Sequence, residues 1–462
     1  MKYFIETHGC QMNVHDSERM AGLLDQAGYE PTADDGDADV IVINTCSVRE
    51  RAEEKLFTRL GEIHHQGLED GTRPIVAVTG CVAQQEGATL LQRSSAIDVV
   101  IGTQNIRRLP VLVDEAVAQR TRRPLIDLAP LDDVSFPLGV ARRAEPWKAY
   151  VTIIEGCNEF CAFCVVPYTR GHERMRQVAD IVADARQAVE TGAREIQLLG
   201  QIVNHYQAPD DASCDFAALL ERLAGIDGLE RIRFASPHPR HVTPRMIAAL
   251  RDIPKVCRHL HLPVQSGSSR VLNLMRRRHT REDYLDLVDR LREAMPDLAL
   301  STDMIVGFPG ETEADFDDTL SLTATVRYHS MFSFKYSTRP NTLASKRMQD
   351  DVGEDEKTRR IVGLQGLQKR VQGELYQAAI GREEWVLVEA KSRRRDWELS
   401  GRTSSNLVVN FVGEPTLIGS LVPVRITGAN PNSLRGELLT PTTGRDTTID
   451  ATTDANRGCD AD

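Results

Sequence analysis

The sequence predicts an α/β protein in three parts: an N-terminal parallel α/β sheet, a central partial (β/α)6 barrel and a small antiparallel β-barrel near the C-terminus. Three observations predict it. β-branched runs alternate with helix-like stretches through most of the chain; the alternation restarts after a segment of mixed charge with several prolines; and beyond Gly381 it gives way to short strands with no helix between them. At 462 residues the chain is too long for one ordinary core, so two or three domains are expected.

The first part repeats one unit, a short β-branched run that ends in a turn residue and a cysteine. YFIETHGC ends at Cys10, VIVINTC at Cys46 and IVAVTGC at Cys81. Helix-like stretches such as SERMAGLLDQAG and RERAEEKLFTRLGEI lie between them, with Ser17 and Ser47 as candidate caps. Strands alternating with helices imply a parallel sheet with right-handed crossovers, and the strand C-termini of such a sheet share one edge. Cysteines far apart in sequence then meet at that edge. Residues 119–146 read as an interdomain linker, giving expected domains at 1–118, 143–373 and 376–440, with 441–462 a disordered Thr- and Asp-rich tail carrying Cys459.

In the second part AYVTIIEG, REIQLLG, RIRFAS, RHLHLPV, LALSTDMIVGF and MFSFKY are strand candidates, separated by helices such as VADIVADARQAVETG and REDYLDLVDRLREAM. Six such units suggest an incomplete barrel whose chemistry sits in the loops after the strands. A long amphipathic helix over EDEKTRRIVGLQGLQKRVQGELYQAAIG leads into the third part, where short strands with Gly and Asn turns suit a small barrel.

Composition narrows the function classes. The chain is 41% hydrophobic and 27% charged, the profile of a soluble globular protein. It shows no apolar run of bilayer length and no signal-peptide pattern at MKYFIETHGC, so a cytoplasmic protein without a membrane partner is expected. In that reducing compartment nine cysteines read as thiolates, metal ligands or small apolar groups rather than disulfides. The net charge of −11 gives no global sign of nucleic acid, which leaves local basic runs: KSRRR, with Lys391, Arg393, Arg394 and Arg395, and MRRRH, with Arg276 to Arg278. Such runs are commonly plain solvated faces. Cys214 and Cys257 read as packing residues, Cys257 because it precedes its strand.

EGCNEFCAFCVVPYTRG places Cys157, Cys161 and Cys164 within eight positions and supplies no fourth cysteine. A disulfide framework takes cysteines in pairs, and structural zinc takes four ligands. A four-iron cluster normally takes four thiolates, so three would leave one iron open to another ligand. Zinc completed by a residue such as His172 is the alternative, and the position after the first barrel strand favours the cluster. Cys10, Cys46 and Cys81 are each unremarkable alone. Together, at successive strand ends of one sheet, they read as a second site with an open iron.

The CxxxCxxC spacing, with Phe163 before the last cysteine, resembles the radical S-adenosylmethionine (SAM) signature. With the N-terminal cysteine sheet before it and the small barrel after it, the chain resembles the radical SAM methylthiotransferase family. That resemblance implies two 4Fe-4S clusters, one held by Cys157, Cys161 and Cys164 and an auxiliary one held by Cys10, Cys46 and Cys81, with SAM on the open iron of the first. It implies that one SAM yields a 5′-deoxyadenosyl radical, that a second donates a methyl group, and that sulfur comes from the auxiliary cluster. It further implies a TRAM barrel that holds RNA; an electron donor such as flavodoxin or ferredoxin and a monomeric state are expected.

GCQMN, CVVPYTRG, SPHP and HLPVQSGS resemble the branch acting on N6-isopentenyladenosine at position 37 of tRNA, in the anticodon loop. The alternatives are the branch that modifies an aspartate of a ribosomal protein, and a zinc-stabilised RNA-binding protein. DMIVGFPGE resembles the family's late glycine-rich motif, which would put Gly307, Gly310 and Glu311 near SAM's adenosine; the plainer reading is a strand-to-helix turn that needs glycine. LLGQIVNHY resembles the loop after the second strand, with Gln201 and Asn204 toward SAM or substrate, although Ile202 stands where the branch has Asn. Gln265 and Ser266, after the fourth strand, are expected to face the same way.

Overall fold

β1 (Lys2–His8), β2 (Glu30–Pro31), β3 (Val40–Thr45), β4 (Ile75–Thr79), β5 (Val99–Ile101) and β6 (Leu125–Asp127) form one parallel sheet in the order β2-β1-β3-β4-β5-β6. The structure is a computed structural model and describes residues 1–47, 50–70, 73–119, 123–129 and 139–439. β3 and β4 are buried at every position, as strands covered on both faces must be, and they read accordingly as unbroken β-branched runs. Val42 and Ala77 point to one face, toward Met20 and Leu24 of α1 (Gln11–Gln26). Ile43 and Val78 point to the other, toward Leu56, Leu60 and Ile63 of α2 (Glu50–Asp70). α3 (Cys81–Glu86), α4 (Thr89–Arg93) and α5 (Leu109–Ala118) complete the layers.

Two expectations change here. Ser17 lies inside α1, not at its start, and its buried hydroxyl bonds Thr7 Oγ1 at 2.7 Å and accepts from Asn44 Nδ2 at 3.0 Å; the N-cap is Cys10. Ser47 lies just ahead of α2, with residues 48 and 49 between them outside the described residues. The sheet also runs beyond residue 118, because β6 pairs with β5 inside what the sequence suggested was linker. The described end of that linker lies on α1. A Cβ at Gly22 would come 1.5 Å from the Val140 carbonyl oxygen, so only glycine admits the crossing, and the Arg142 amide donates to the Glu18 carbonyl at 2.9 Å.

The central part begins with β7 (Lys148–Thr152), the short pair β8 (Ile154–Glu155) and β9 (Arg174–Met175), and α6 (Val166–Thr169) between that pair. α7 (Val178–Glu190), β10 (Glu195–Leu199), α8 (Phe216–Ala224), β11 (Arg231–Phe234), α9 (Pro244–Asp252) and β12 (His259–His261) follow, then α10 (Ser269–Leu274), α11 (Arg281–Ala294), β13 (Ala299–Val306), α12 (Glu313–Val326) and β14 (Ser330–Lys335). All six expected barrel strands form. They make two parallel half-sheets, β11-β10-β7 and β12-β13-β14, joined by an Ile232–Val256 bridge. Among the described residues nothing pairs β7 with β14, so the barrel is open on that side. Capping boxes at Thr280–Asp283 and Thr312–Asp315 start α11 and α12 by satisfying the first free amides of each helix.

α13 (Leu343–Arg347) and the long α14 (Glu354–Gln377) lead to β15 (Glu383–Lys391), β16 (Glu398–Thr403), β17 (Val408–Val412), β18 (Leu421–Asn430) and β19 (Ser433–Leu438). These five strands close a barrel in the order β15-β16-β17-β19-β18. It is not wholly antiparallel, since β17 and β19 pair in parallel to close it. This small barrel docks on the N-terminal rim of the central one. Arg231 and Arg233 of β11 donate to the carbonyls of Arg402 at 2.8 Å and of Ser404 at 3.1 Å, and Arg233 is charge-paired with buried Glu195 at 3.0 Å. Cys257 is buried at that rim and Cys214 in the barrel core, as packing residues. The proposed tail, 441–462 with Cys459, lies outside the described residues.

Candidate functional site

β1, β3 and β4 are neighbours in the N-terminal sheet, and His8 pairs with Thr45 while Asn44 pairs with Thr79. Cys10, Cys46 and Cys81 therefore leave the same edge side by side. Glycine permits the approach: at Gly9 (φ 139°) a Cβ would lie 2.3 Å from Cys46 Cβ, and at Gly80 (φ 90°) 2.4 Å from Asn44 Oδ1. An amide lock holds the edge. Asn13 Nδ2 donates to Asn44 Oδ1 at 2.8 Å, Asn44 Nδ2 donates to the Asn13 carbonyl at 2.8 Å, and the Cys10 thiol donates to Asn13 Oδ1 at 3.2 Å. That is the physical content of the GCQMN motif.

The three thiols interact. Cys46 shares hydrogen bonds with both neighbours, which raises its own pKa and lowers those of Cys10 and Cys81, and a nearby Arg170 guanidinium lowers those two further. Thr45 Oγ1, Ser47 Oγ and Thr79 Oγ1 are buried on these strand ends without a hydrogen-bond partner. Convergent thiols, two of them disposed to ionise, beside unsatisfied polar atoms fit a polar, thiolate-bound group.

The second triad stands on the loop after β8. A Cβ at Gly156 (φ 78°) would meet the His172 carbonyl oxygen at 2.1 Å, and the Cys157 amide donates to the Gly171 carbonyl at 3.2 Å. Ala162 ties the loop down, its amide donating to the Met275 carbonyl at 2.9 Å and its carbonyl accepting from Ala344 at 2.8 Å. Phe163 packs with Val271, Met275, Phe308 and Tyr336. Burial pushes the Cys157 thiol up to about 11 and the Cys164 thiol up to about 12, so both keep their protons until a metal displaces them. Arg277 is buried and reaches this loop, with Nη1 3.6 Å from Cys161 Sγ and Nη2 donating to the Pro263 carbonyl at 2.7 Å.

Arg277 departs from the reading of MRRRH as a solvated basic run, while Arg276 and Arg278 stay exposed. Arg276 and Arg278 adopt left-handed backbone (φ 58° and 56°), which turns Arg277 inward between them. His172, the suggested fourth zinc ligand, bonds Asn158 Oδ1 at 3.1 Å. Among the described residues no three His, Cys, Asp or Glu side chains stand close enough together to hold a single metal ion. A cluster several atoms across holds its ligands wider than a single ion does.

The remaining expected contacts divide. Gln201 follows β10 and buries Oε1 without a partner, which suits a ligand-facing residue. Asn204 is bonded at both ends: Nδ2 donates to the His238 carbonyl at 3.0 Å and Oδ1 accepts from the His238 amide at 2.8 Å. Gln265 (φ 78°) and Ser266 are buried after β12, where Gln265 bridges to β13 and Ser266 Oγ accepts from the Ser268 amide at 3.2 Å. Gly307 and Gly310 serve a turn. The Gly307 amide donates to Glu311 at 2.5 Å, a Cβ there would strike Lys357 Cγ at 2.3 Å, and the Gly310 amide donates to Asp351 at 2.7 Å. Glu311 is buried with Oε2 paired to Arg360 of α14 at 2.8 Å, while its Oε1, like that of Gln201, is buried without a partner.

Two groups went unnoticed in the sequence. Arg170, in the YTRG of the cluster loop, is buried and donates to Asp16 Oδ2 of α1 at 2.7 Å. Beside it Thr103 Oγ1 donates to the Thr169 carbonyl at 2.6 Å and Gln104 Nε2 to the Arg170 carbonyl at 3.1 Å, so the two cysteine-bearing domains meet there. The other group is histidine-rich: His205 stacks on His241 at 4.3 Å, and His241 Nε2 bonds Glu159, between Cys157 and Cys161, at 3.0 Å. Only the SPHP string hinted at it, through His238, which meets His241 edge-on at 5.8 Å. Lys391, Arg393, Arg394 and Arg395 are exposed in the turn between β15 and β16, with Arg395 paired to Glu398 at 2.7 Å and the 65% exposed Trp397 next to them.

Comparisons with known proteins agree with this layout. Residues 2–102 match uncharacterized protein family UPF0004, residues 151–323 the radical SAM superfamily and residues 377–439 the TRAM domain. A tRNA-2-methylthio-N(6)-dimethylallyladenosine synthase of Alkalilimnicola ehrlichii is 45% identical over 441 residues, covering 95% of this chain and 97% of its own. The synthase of the same name from Geobacter metallireducens is 47% identical over 444 residues, covering 94% and 98%. Among solved structures, TsrM of Kitasatospora setae, a radical S-adenosylmethionine methyltransferase with cobalamin and a [4Fe-4S] cluster bound, superposes with TM-score 0.53 at 15% identity over 74% of this chain and 77% of its own, a likeness of fold alone.

Proposed function

This chain belongs to the family of tRNA-2-methylthio-N(6)-dimethylallyladenosine synthases, and from that membership we propose that it adds a methylthio group to N6-isopentenyladenosine at position 37 of tRNA. The observation that carries the reading is the pair of three-thiol sites, set on two adjoining domains in a chain 45% identical to such a synthase over nearly its whole length.

The radical SAM domain calls for a 4Fe-4S cluster and SAM, and the TRAM barrel suits a tRNA substrate. The finer assignment is two clusters, the first on Cys157, Cys161 and Cys164 and the auxiliary one on Cys10, Cys46 and Cys81. When bound, these groups and SAM supply a carbon radical that takes a substrate hydrogen, and the sulfur and methyl group that replace it. The chain's own residues position and shield. The Gly171 carbonyl and Ala162 fix the cluster loop, Arg277 sets a cation against Cys161, and the Asn13–Asn44 lock holds the auxiliary edge. Gln201 Oε1 is free to accept from SAM or substrate, while buried Ile202 contributes no polar contact beside it. Lys391, Arg393 and Arg394 would neutralise phosphates without reading sequence.

No helix among the described residues is long and apolar enough to cross a membrane. The proposal further takes the protein to be a cytoplasmic monomer reduced by a flavodoxin or ferredoxin. The test is mass spectrometry of tRNA nucleosides from cells lacking this gene. Restoring it should convert N6-isopentenyladenosine to its 2-methylthio form, and a Cys157→Ala, Cys161→Ala, Cys164→Ala variant should not. Unchanged nucleosides with an altered ribosomal protein mass would overturn the substrate assignment.

A further inference from the structure

The buried cation at the domain seam has a role beyond joining two surfaces. Arg170 is 7% exposed and Asp16 3%, and their 2.7 Å ion pair fixes the guanidinium at the auxiliary strand edge, where it interacts with Cys81 and Cys10. The adjoining Gly171 carbonyl accepts from the Cys157 amide at 3.2 Å. One dipeptide of the barrel domain thus bears on both thiol sites, by charge at one and by a backbone hydrogen bond at the other. Its backbone is held by Gln104 of the sheet domain, whose Nε2 donates to the Arg170 carbonyl at 3.1 Å.

Resting on the two-cluster reading above, we propose that Arg170 is a positioning residue for the auxiliary cluster. It is a cation lent by the barrel domain and aimed by Asp16, and it raises the reduction potential of the group held by Cys10, Cys46 and Cys81. A reduced cluster carries one more negative charge than an oxidised one, and a fixed cation at a desolvated site stabilises the reduced form. The auxiliary site is then electrostatically incomplete until the barrel domain docks. Asp16 does two opposed things: it aims the guanidinium and it partly offsets its charge.

The experiment uses the full-length Cys157→Ala, Cys161→Ala, Cys164→Ala protein, reconstituted anaerobically with iron and sulfide, so that only the auxiliary site reports. Midpoint potentials are read by electron paramagnetic resonance during redox titration. Arg170→Gln should shift the midpoint to more negative potential, Arg170→Lys should shift it less, and Asp16→Asn, whose amide oxygen still accepts from the guanidinium while the offsetting charge is gone, should shift it to more positive potential. A contact that merely held the domains together would not move the two neutral variants in opposite directions. A full iron complement with an unmoved midpoint in Arg170→Gln or Asp16→Asn overturns the proposal alone. If Arg170→Gln fails to hold iron, the sign of the Asp16→Asn shift decides. Loss of iron from the parent triple variant instead overturns the two-cluster reading, and this proposal with it.

Discussion

Arg277 Nη1 lies 3.6 Å from Cys161 Sγ, placing a buried cation behind the middle cysteine of the barrel loop. Two left-handed residues, Arg276 and Arg278, aim it there, and the Pro263 carbonyl anchors its other nitrogen at 2.7 Å. Arg277→Met keeps much of the side-chain bulk and removes the charge and the fork. In a protein lacking Cys10, Cys46 and Cys81, this variant should retain less iron after gel filtration than its parent and form less 5′-deoxyadenosine. Iron retention equal to the parent would show that Arg277 serves packing alone.

The Asn13–Asn44 lock supports the auxiliary edge and lies wholly buried. Asn44→Ala leaves the Asn13 amide without its partner at no exposed face, which costs about 1–3 kcal/mol. The variant should melt earlier, and its loss of iron should fall on the auxiliary site while the barrel site stays loaded. Equal loss from both sites would mean a global rather than a local effect.

Glu18, on α1 beneath the linker, has its pKa pushed up to about 7 by burial. The folded value stands above the unfolded one, so the protonated carboxyl's contribution is complete below about pH 4 and is lost as pH rises through about 7, amounting to roughly 2–4 kcal/mol. Glu18→Gln is neutral throughout. Chemical denaturation should find it nearly as stable as the parent near pH 4 and more stable above pH 7. Parallel stability curves from pH 4 to 8 would contradict this.

Arg393→Ala, Arg394→Ala and Arg395→Ala together should weaken tRNA binding while leaving SAM binding unchanged. Arg395 already has Glu398 at 2.7 Å, so most of the loss should come from Arg393 and Arg394. The slope of log affinity against log salt should fall by about 0.7–0.9 for each phosphate contact removed. Filter binding at several salt concentrations reads this, and an unchanged slope would remove the turn from the interface.

The six barrel strands, the placing of Cys10, Cys46 and Cys81 at strand ends and that of Cys157, Cys161 and Cys164 on the loop after a strand were legible because local patterns encode them: β-branched runs say where a strand lies, and a parallel sheet says where its ends meet. Arg170 and Asp16 were not legible. They stand 154 residues apart, and their pairing follows from domain docking rather than from any periodicity. Gly307 and Gly310 were ambiguous for a different reason, because a glycine that lets a ligand approach looks the same in a sequence as one that makes room for Lys357, as at Gly307, or adopts a left-handed turn, as at Gly310. MRRRH read as a basic face because the alternating backbone that buries its middle arginine depends on the loop it joins. The parallel β17–β19 pair was hidden likewise, since barrel closure is a global constraint on locally ordinary strands.

Anaerobic iron and acid-labile sulfide analysis of the reconstituted protein, beside the Cys157→Ala, Cys161→Ala, Cys164→Ala variant, tests the two-site account most directly. The account predicts about eight irons per chain falling to about four, the survivors being held by Cys10, Cys46 and Cys81. About four irons falling to none, or zinc in place of iron, would contradict it.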